Sequence, residues 1–157
     1  MKIIITIIVI LTLLMVGFCW FVLRGKIKDI SDKAPYSEML RDKMMTRREM
    51  VLAKNLPEFK VKEPLYISEN TILFEGVEKI AKLPKNTEVK FLKAYEFTGG
   101  TSGITRIVLT GDVKINNVLY KIEYQMSIPI DDFTVKTGSK EFLQKSEQVF
   151  NELFRRD

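Results

Sequence analysis

Side chains able to do chemistry are sparse in this 157-residue sequence, and their types exclude more than they suggest. There is no histidine and a single cysteine, Cys19. The commonest general base and the commonest metal ligand are therefore missing, and His-based triads and HExxH-type zinc sites go with them. An internal disulfide is impossible, so the fold must rest on its core. Asp131-Asp132 pairs two carboxylates as acid/base work or a cation would need. Neighbours in an extended chain point to opposite sides, however, so the pair reads as a solvated strand end. Ser139-Lys140 and Ser102 have the residue types of a Ser/Lys hydrolase without a surrounding motif. Thr98-Gly99-Gly100-Thr101-Ser102-Gly103 has the glycines of a phosphate cradle. Such a cradle needs a helix N-terminus after it, and strands are read on both sides here. No catalytic residue, metal site or cofactor is expected.

Binding is the chemistry left. Its candidate residues are Tyr120 and Tyr124, an aromatic pair that could make a ligand platform, and Arg106 just before them. At alternating strand spacing, however, such tyrosines are more often core. Met39, Met44, Met45 and Met50 could make an adaptable surface, although core filling is the commoner use of methionine.

The element that must position these residues is a long β-hairpin from Ile107 to Ile130. Ile107, Leu109, Val113 and Ile115 are apolar at odd positions, with Gly111 among them, while Val108 breaks an otherwise polar even set. After Asn116-Asn117 the parity switches to Val118, Tyr120, Ile122, Tyr124, Met126, Ile128 and Ile130. A two-residue turn accounts for the switch, and asparagine tolerates the positive φ that a type I′ turn demands at both corners. Ile115 then opposes Val118, Val113 opposes Tyr120 and Leu109 opposes Tyr124 on one face. Asp112 meets Lys121 on the other.

Upstream, Tyr36 to Leu56 predicts a short turn of helix followed by a strand from about Met45 to Lys54. Short β-like alternations follow through Phe59, Val61, Leu65, Ile67, Ile72, Phe74, Val77, Ile80 and Leu83. Pro84-Lys85-Asn86 is a turn. Val89, Phe91, Tyr95 and Phe97 alternate after it, and Lys93 interrupts their face, which predicts a bulge or a strong bend. For Tyr95 and Phe97 to share a face with Ile107 and Leu109, the connecting loop needs an odd residue count or a bulge, which its glycines allow. Ser139 as N-cap opens an amphipathic helix over 139–156, with Phe142, Leu143, Val149, Phe150, Leu153 and Phe154 on one stripe. Arg155 and Arg156 suit its C-terminal end.

Ile3 to Leu23 runs 21 residues without a charge, enough to span the roughly 30 Å hydrocarbon core as a helix. Bulky residues around Cys19 suit neither a signal-peptidase site nor a lipobox, so residues 1–24 read as an uncleaved transmembrane anchor. Ile3 and Leu23 bound the span, and Trp20 lies in an interfacial aromatic belt. Residues 25–35 read as a linker and 36–157 as one small domain. The net charge is +5, and residues 24–62 carry eleven Lys/Arg against six Asp/Glu, whereas 63–157 carry thirteen against fourteen. The excess is juxtamembrane, where anionic head groups attract it. A nucleic-acid reader would carry it on the folded part, so no nucleic acid is expected. Positive charge after the span favours a cytoplasmic domain. The two-residue leader with its lysine is the usual start of a bacterial export signal, so an extracytoplasmic, periplasmic-side domain on the inner membrane is favoured.

The step Ile80-Ala81-Lys82-Leu83-Pro84-Lys85-Asn86-Thr87-Glu88-Val89, followed by meandering hairpins, resembles the Leu-Pro-Lys-Gly-Thr-x-Val step of bacterial SH3-like domains over about residues 60–126. Asn86 stands where that family has glycine, and its Asn-Val-Arg opening and Gly-Trp-Trp-x-Lys-Val end are absent. The resemblance implies a small SH3-like barrel. Short strands at regular spacing independently predict a mainly β domain, a small barrel or strongly bent antiparallel sheet, with the two helices appended. The expected function is a membrane-anchored, non-enzymatic binding module whose partners are the lipid bilayer and a protein or cell-wall component of the bacterial envelope. An anchored immunity-type antagonist of a toxin and an envelope hydrolase are the other classes considered.

Overall fold

Alternating apolar residues on both sides of Asn116-Asn117 zip into a hairpin in the expected register. In the computed structural model, which describes residues 9–18, 25–54, 62–69, 76–99, 105–126 and 140–156, β7 (Thr105–Ile115) pairs antiparallel with β8 (Val118–Met126). Ile115 opposes Val118, Val113 opposes Tyr120, Leu109 opposes Tyr124 and Asp112 opposes Lys121. The turn has φ of 48° at Asn116 and 65° at Asn117. Because a left-handed residue other than glycine or asparagine costs about 1–2 kcal/mol, Asn117→Ala lowers the stability of the full chain by about 1 kcal/mol, whereas Asn117→Gly holds it. Urea midpoints followed by far-UV circular dichroism read the difference. Equal losses from both variants would place the cost in the asparagine side chain instead of the backbone.

The remaining strands wrap around this hairpin. In chain order they are β1 (Lys26–Asp29), β2 (Met44–Thr46), β3 (Met50–Lys54), β4 (Leu65–Ser68), β5 (Glu78–Leu83), β6 (Glu88–Thr98) and, after the hairpin, β9 (Phe154–Arg156). The helices are α1 (Tyr36–Met39) and α2 (Lys140–Leu153). The sheet runs β5-β3-β4-β8-β7-β6-β2-β9, with β1 also on β6, and it curls into a half-barrel. All pairs are antiparallel except β4 with β8.

The strand expected from Met45 to Lys54 is a ribbon folded around a corner. One offset runs from Met44 opposite Val89 through Leu52 opposite Ala81, so β2–β3 and β5–β6 bend together. Buried Thr46 pins the corner: its hydroxyl donates to the Pro84 carbonyl at 2.8 Å and accepts the Thr87 N–H at 2.9 Å. Asn86 takes a φ of 66° there, as the Pro-Lys-Asn turn requires.

Three expectations are corrected. Residues 26–29, expected within a linker, form β1 along the end of β6, Lys26 opposite Thr98 and Asp29 opposite Tyr95. Beyond β1, the Ile30 N–H donates to the Ala94 carbonyl at 2.9 Å, so a local composition suited to a linker is overridden by an edge with groups to satisfy. The Ser31 hydroxyl and N–H, helped by Lys93, hold the Asp29 carboxyl below its ordinary range. Next, Tyr95 and Phe97 oppose Val108 and Arg106, not the core face of Ile107 and Leu109. The bulge lies within β6, between Phe91 and Lys93 as the interrupted alternation suggests, and it reverses the parity of everything after it. Finally, the C-terminal helix stops at Leu153, and Phe154–Arg156 add a strand to the edge of β2. Arg155 and Arg156 therefore serve no helix end. Arg155 donates to the Asn86 side-chain oxygen at 3.0 Å, and Arg156 approaches Asp42 at 3.7 Å.

Residues 9–18 are helical. Among the described residues no helix is long and apolar enough to cross a membrane. Ile3, Trp20 and Leu23 lie outside the described residues, as do Ser102, Asp131, Asp132, Ser139 and the readings at Phe59, Val61, Ile72 and Phe74.

Candidate functional site

The concave side of the half-barrel is filled. Phe91 on β6, Tyr124 on β8, Phe150 on α2 and Phe154 on β9 meet with ring centroids 4.9–6.1 Å apart, every pair tilted or edge-on. The stripe of α2 supplies Phe142, Phe150 and Leu153, so the helix plugs the mouth of the sheet. Ser146 in the middle of that stripe is buried and satisfied, its hydroxyl donating to the Leu143 carbonyl at 3.1 Å. Met39, Met44 and Met50 are core residues too.

Tyr124 is therefore a core ring. Burial pushes its hydroxyl pKa far up, with the Glu69 carboxylate adding to the shift and Arg48 opposing it. Tyr120 packs half-buried at the rim of the same face, while Arg106 lies opposite Phe97 near the other end of the hairpin. The structure thus shares Tyr120 and Tyr124 along one face and leaves Arg106 apart from them.

Part of the other face of the hairpin, away from the tip, is covered as well, which the sequence showed only as the odd Val108. Val108 and Thr110 are buried, and Glu123 beside them is 2% exposed. The Glu123 carboxylate accepts the backbone N–H groups of Lys62 and of Glu63, the latter at 2.6 Å. Lys62 extends its ammonium over the Tyr95 ring, 5.6 Å from the centroid. Residues 62–63 are thereby fastened across the outside of the hairpin. Hydrogen bonds to a charged group contribute about 1.5–3 kcal/mol, so Glu123→Ala should lower stability by about that much and raise amide exchange at residues 62–63. Unchanged exchange there would show that the carboxylate does not hold the segment.

Among the described residues, two outward features bear on binding. A groove of about 510 Å³ runs along α2 between Arg47, Gln144, Glu147, Gln148, Asn151 and Glu152. Arg47 is held in place by donating from Nε to the Phe154 carbonyl at 3.2 Å. Amides and carboxylates of this kind can hydrogen-bond a peptide. The second feature is the hairpin tip, where Val118 is 50% and Leu119 64% exposed, with exposed Lys114 and Lys121 beside them. The two residues directly follow the two-asparagine turn and, as neighbours on a strand, present one apolar side chain on each face of the tip. Neither feature announces itself in the sequence, since Val118 continues an apolar pattern that elsewhere points inward and Leu119 is a single apolar residue on the opposite face, across from Lys114. Among the described residues no three Cys, Asp or Glu side chains converge as metal ligands. Compared with known proteins, the chain matches no family model, no curated protein and no solved structure, and its function is read from its own geometry.

Proposed function

We propose that this chain is a single-pass, membrane-anchored, non-enzymatic binding module of the bacterial envelope, with an SH3-like half-barrel on the extracytoplasmic side of the inner membrane. The anchor is residues 3–23. Its helical portion, 9–18, exposes Val9, Leu13, Leu14, Met15 and Phe18 alike, which suits a helix surrounded by lipid. The partner is a protein or cell-wall component met by the hairpin tip. The observation that carries this is the contrast between an aromatic-filled interior and two apolar residues exposed beside the hairpin turn. With the concave side occupied by Phe150 and Phe154, recognition falls to the exterior.

Photo-crosslinking in intact cells tests the reading, with a crosslinking amino acid at Leu119 or at Gln148 in the α2 groove. A discrete adduct from 119 and none from 148 is expected. Adducts from 148 alone would move recognition to the groove, whose Glu147 and Glu152 suit a basic protein, and would favour the toxin-antagonist reading. No adduct from either position would remove the binding proposal.

A further inference from the structure

We infer that β1 is a strut that seats one end of the sheet on anionic lipid head groups and holds the hairpin tip away from the bilayer. The inference rests on the anchor reading above and adds the orientation and the lipid chemistry. Only Arg24 separates the end of the apolar run at Leu23 from Gly25. Gly25 is already packed on the sheet: a Cβ there would lie 3.0 Å from the Phe97 ring and 3.2 Å from the Thr98 carbonyl oxygen. The next residue, Lys26, is in register with Thr98. At roughly 3.3 Å per residue, the end of the sheet at Thr98 and Thr105 is tethered within about 7 Å of the membrane surface. The tether limits how far that end can move from the surface, and the tilt about it is set by the contacts that the end makes.

The residues at that end fit the surface they would meet. Lys26 and Lys28 are exposed on one side of β1, and Ile27, 45% exposed, lies on the other. Two ammonium groups and one aliphatic side chain suit a layer of phosphate-bearing head groups over acyl chains. Strand β7 then runs 11 residues from Thr105 to Ile115. The tip is therefore carried on the order of 30 Å from the bilayer, less whatever the curl of the sheet takes up. The fixed seat turns the tip from a mobile hydrophobic hazard into an aimed contact.

The test uses the full chain in liposomes of phosphatidylcholine with phosphatidylglycerol. Cys19→Ser removes the native thiol, and a fluorophore is placed through Thr105→Cys or Lys114→Cys. Lipids carrying a nitroxide on the head group serve as quencher, and circular dichroism checks that each variant keeps the β spectrum. The 105 label should lose most of its fluorescence and the 114 label almost none. Removing phosphatidylglycerol, or introducing Lys26→Glu with Lys28→Glu, should restore much of the 105 signal. Equal quenching at both positions, or at neither, in chains that still float with liposomes overturns the seat and leaves the anchor standing. Quenching at 105 that is indifferent to phosphatidylglycerol overturns the head-group contact. Chains that do not float with liposomes overturn the anchor reading and this inference together.

Discussion

Replacing Phe91 with alanine should lower the unfolding free energy of the full chain by about 3–5 kcal/mol, the range for losing a fully buried phenylalanine. Phe91 is 0% exposed and is the one ring of β6 that touches Tyr124, Phe150 and Phe154 together, at 6.1, 5.7 and 5.4 Å. Its partners come from β8, α2 and β9, so one ring joins three elements that are far apart in the chain. The void left by the ring would therefore open toward α2, and the surrounding backbone has little means of closing it. Urea unfolding followed by far-UV circular dichroism measures the loss, and amide exchange should rise first in α2 and β9. Leu92 is the control: it is the extra residue of the bulge and 49% exposed, so Leu92→Ala should change stability by no more than about 0.5 kcal/mol. Comparable losses at 91 and 92 would mean that the ring is not the contact that secures the helix.

Gly111→Ala is the second large effect, and it acts through the backbone. Gly111 opposes Phe91 across the ladder, and a Cβ at 111 would sit 2.2 Å from the Lys90 carbonyl oxygen and 2.7 Å from the Phe91 Cα. Main-chain atoms cannot rotate out of the way as a side chain can. The strands must separate at the point where β6 bulges and the sheet curls, and the expected cost is about 3 kcal/mol, the upper part of the overpacking range. The same denaturation measurement reads it, with loss of exchange protection centred on residues 90–93 and 110–112. Because 91 and 111 share the same contact, Phe91→Ala with Gly111→Ala should cost less than the two losses combined. Full additivity would show that the close approach does not couple them.

The hairpin was legible because both of its requirements are local. Period-two alternation defines a face, and two asparagines accept the positive φ that reverses the chain. The bulge in β6 was legible as an interruption at Lys93. Its consequence was not, because parity beyond a bulge depends on how the next strand pairs. Val108 was visible as an apolar residue among polar ones, yet nothing nearby in sequence revealed Glu123 capturing the N–H groups of residues 62 and 63. The candidate site divides in the same way. Tyr120 and Tyr124 were legible as a strand face, while how deeply Tyr124 is buried depends on where α2 comes to rest.

By itself the sequence determined the β-hairpin, its register, the amphipathic C-terminal helix and the concentration of positive charge beside an apolar run. Each of these is written in spacing along a few consecutive residues. The tertiary structure alone decided that residues 26–29 become a strand, that the chain leaves α2 at Leu153 to extend the edge of β2, and that the concave side is filled. Unpaired backbone groups at the edges of β6 and β2 set the first two outcomes, since an N–H or carbonyl left without a partner costs more than local propensity can offset. Contacts between residues far apart in the chain set the third, and such contacts leave no periodic mark to read.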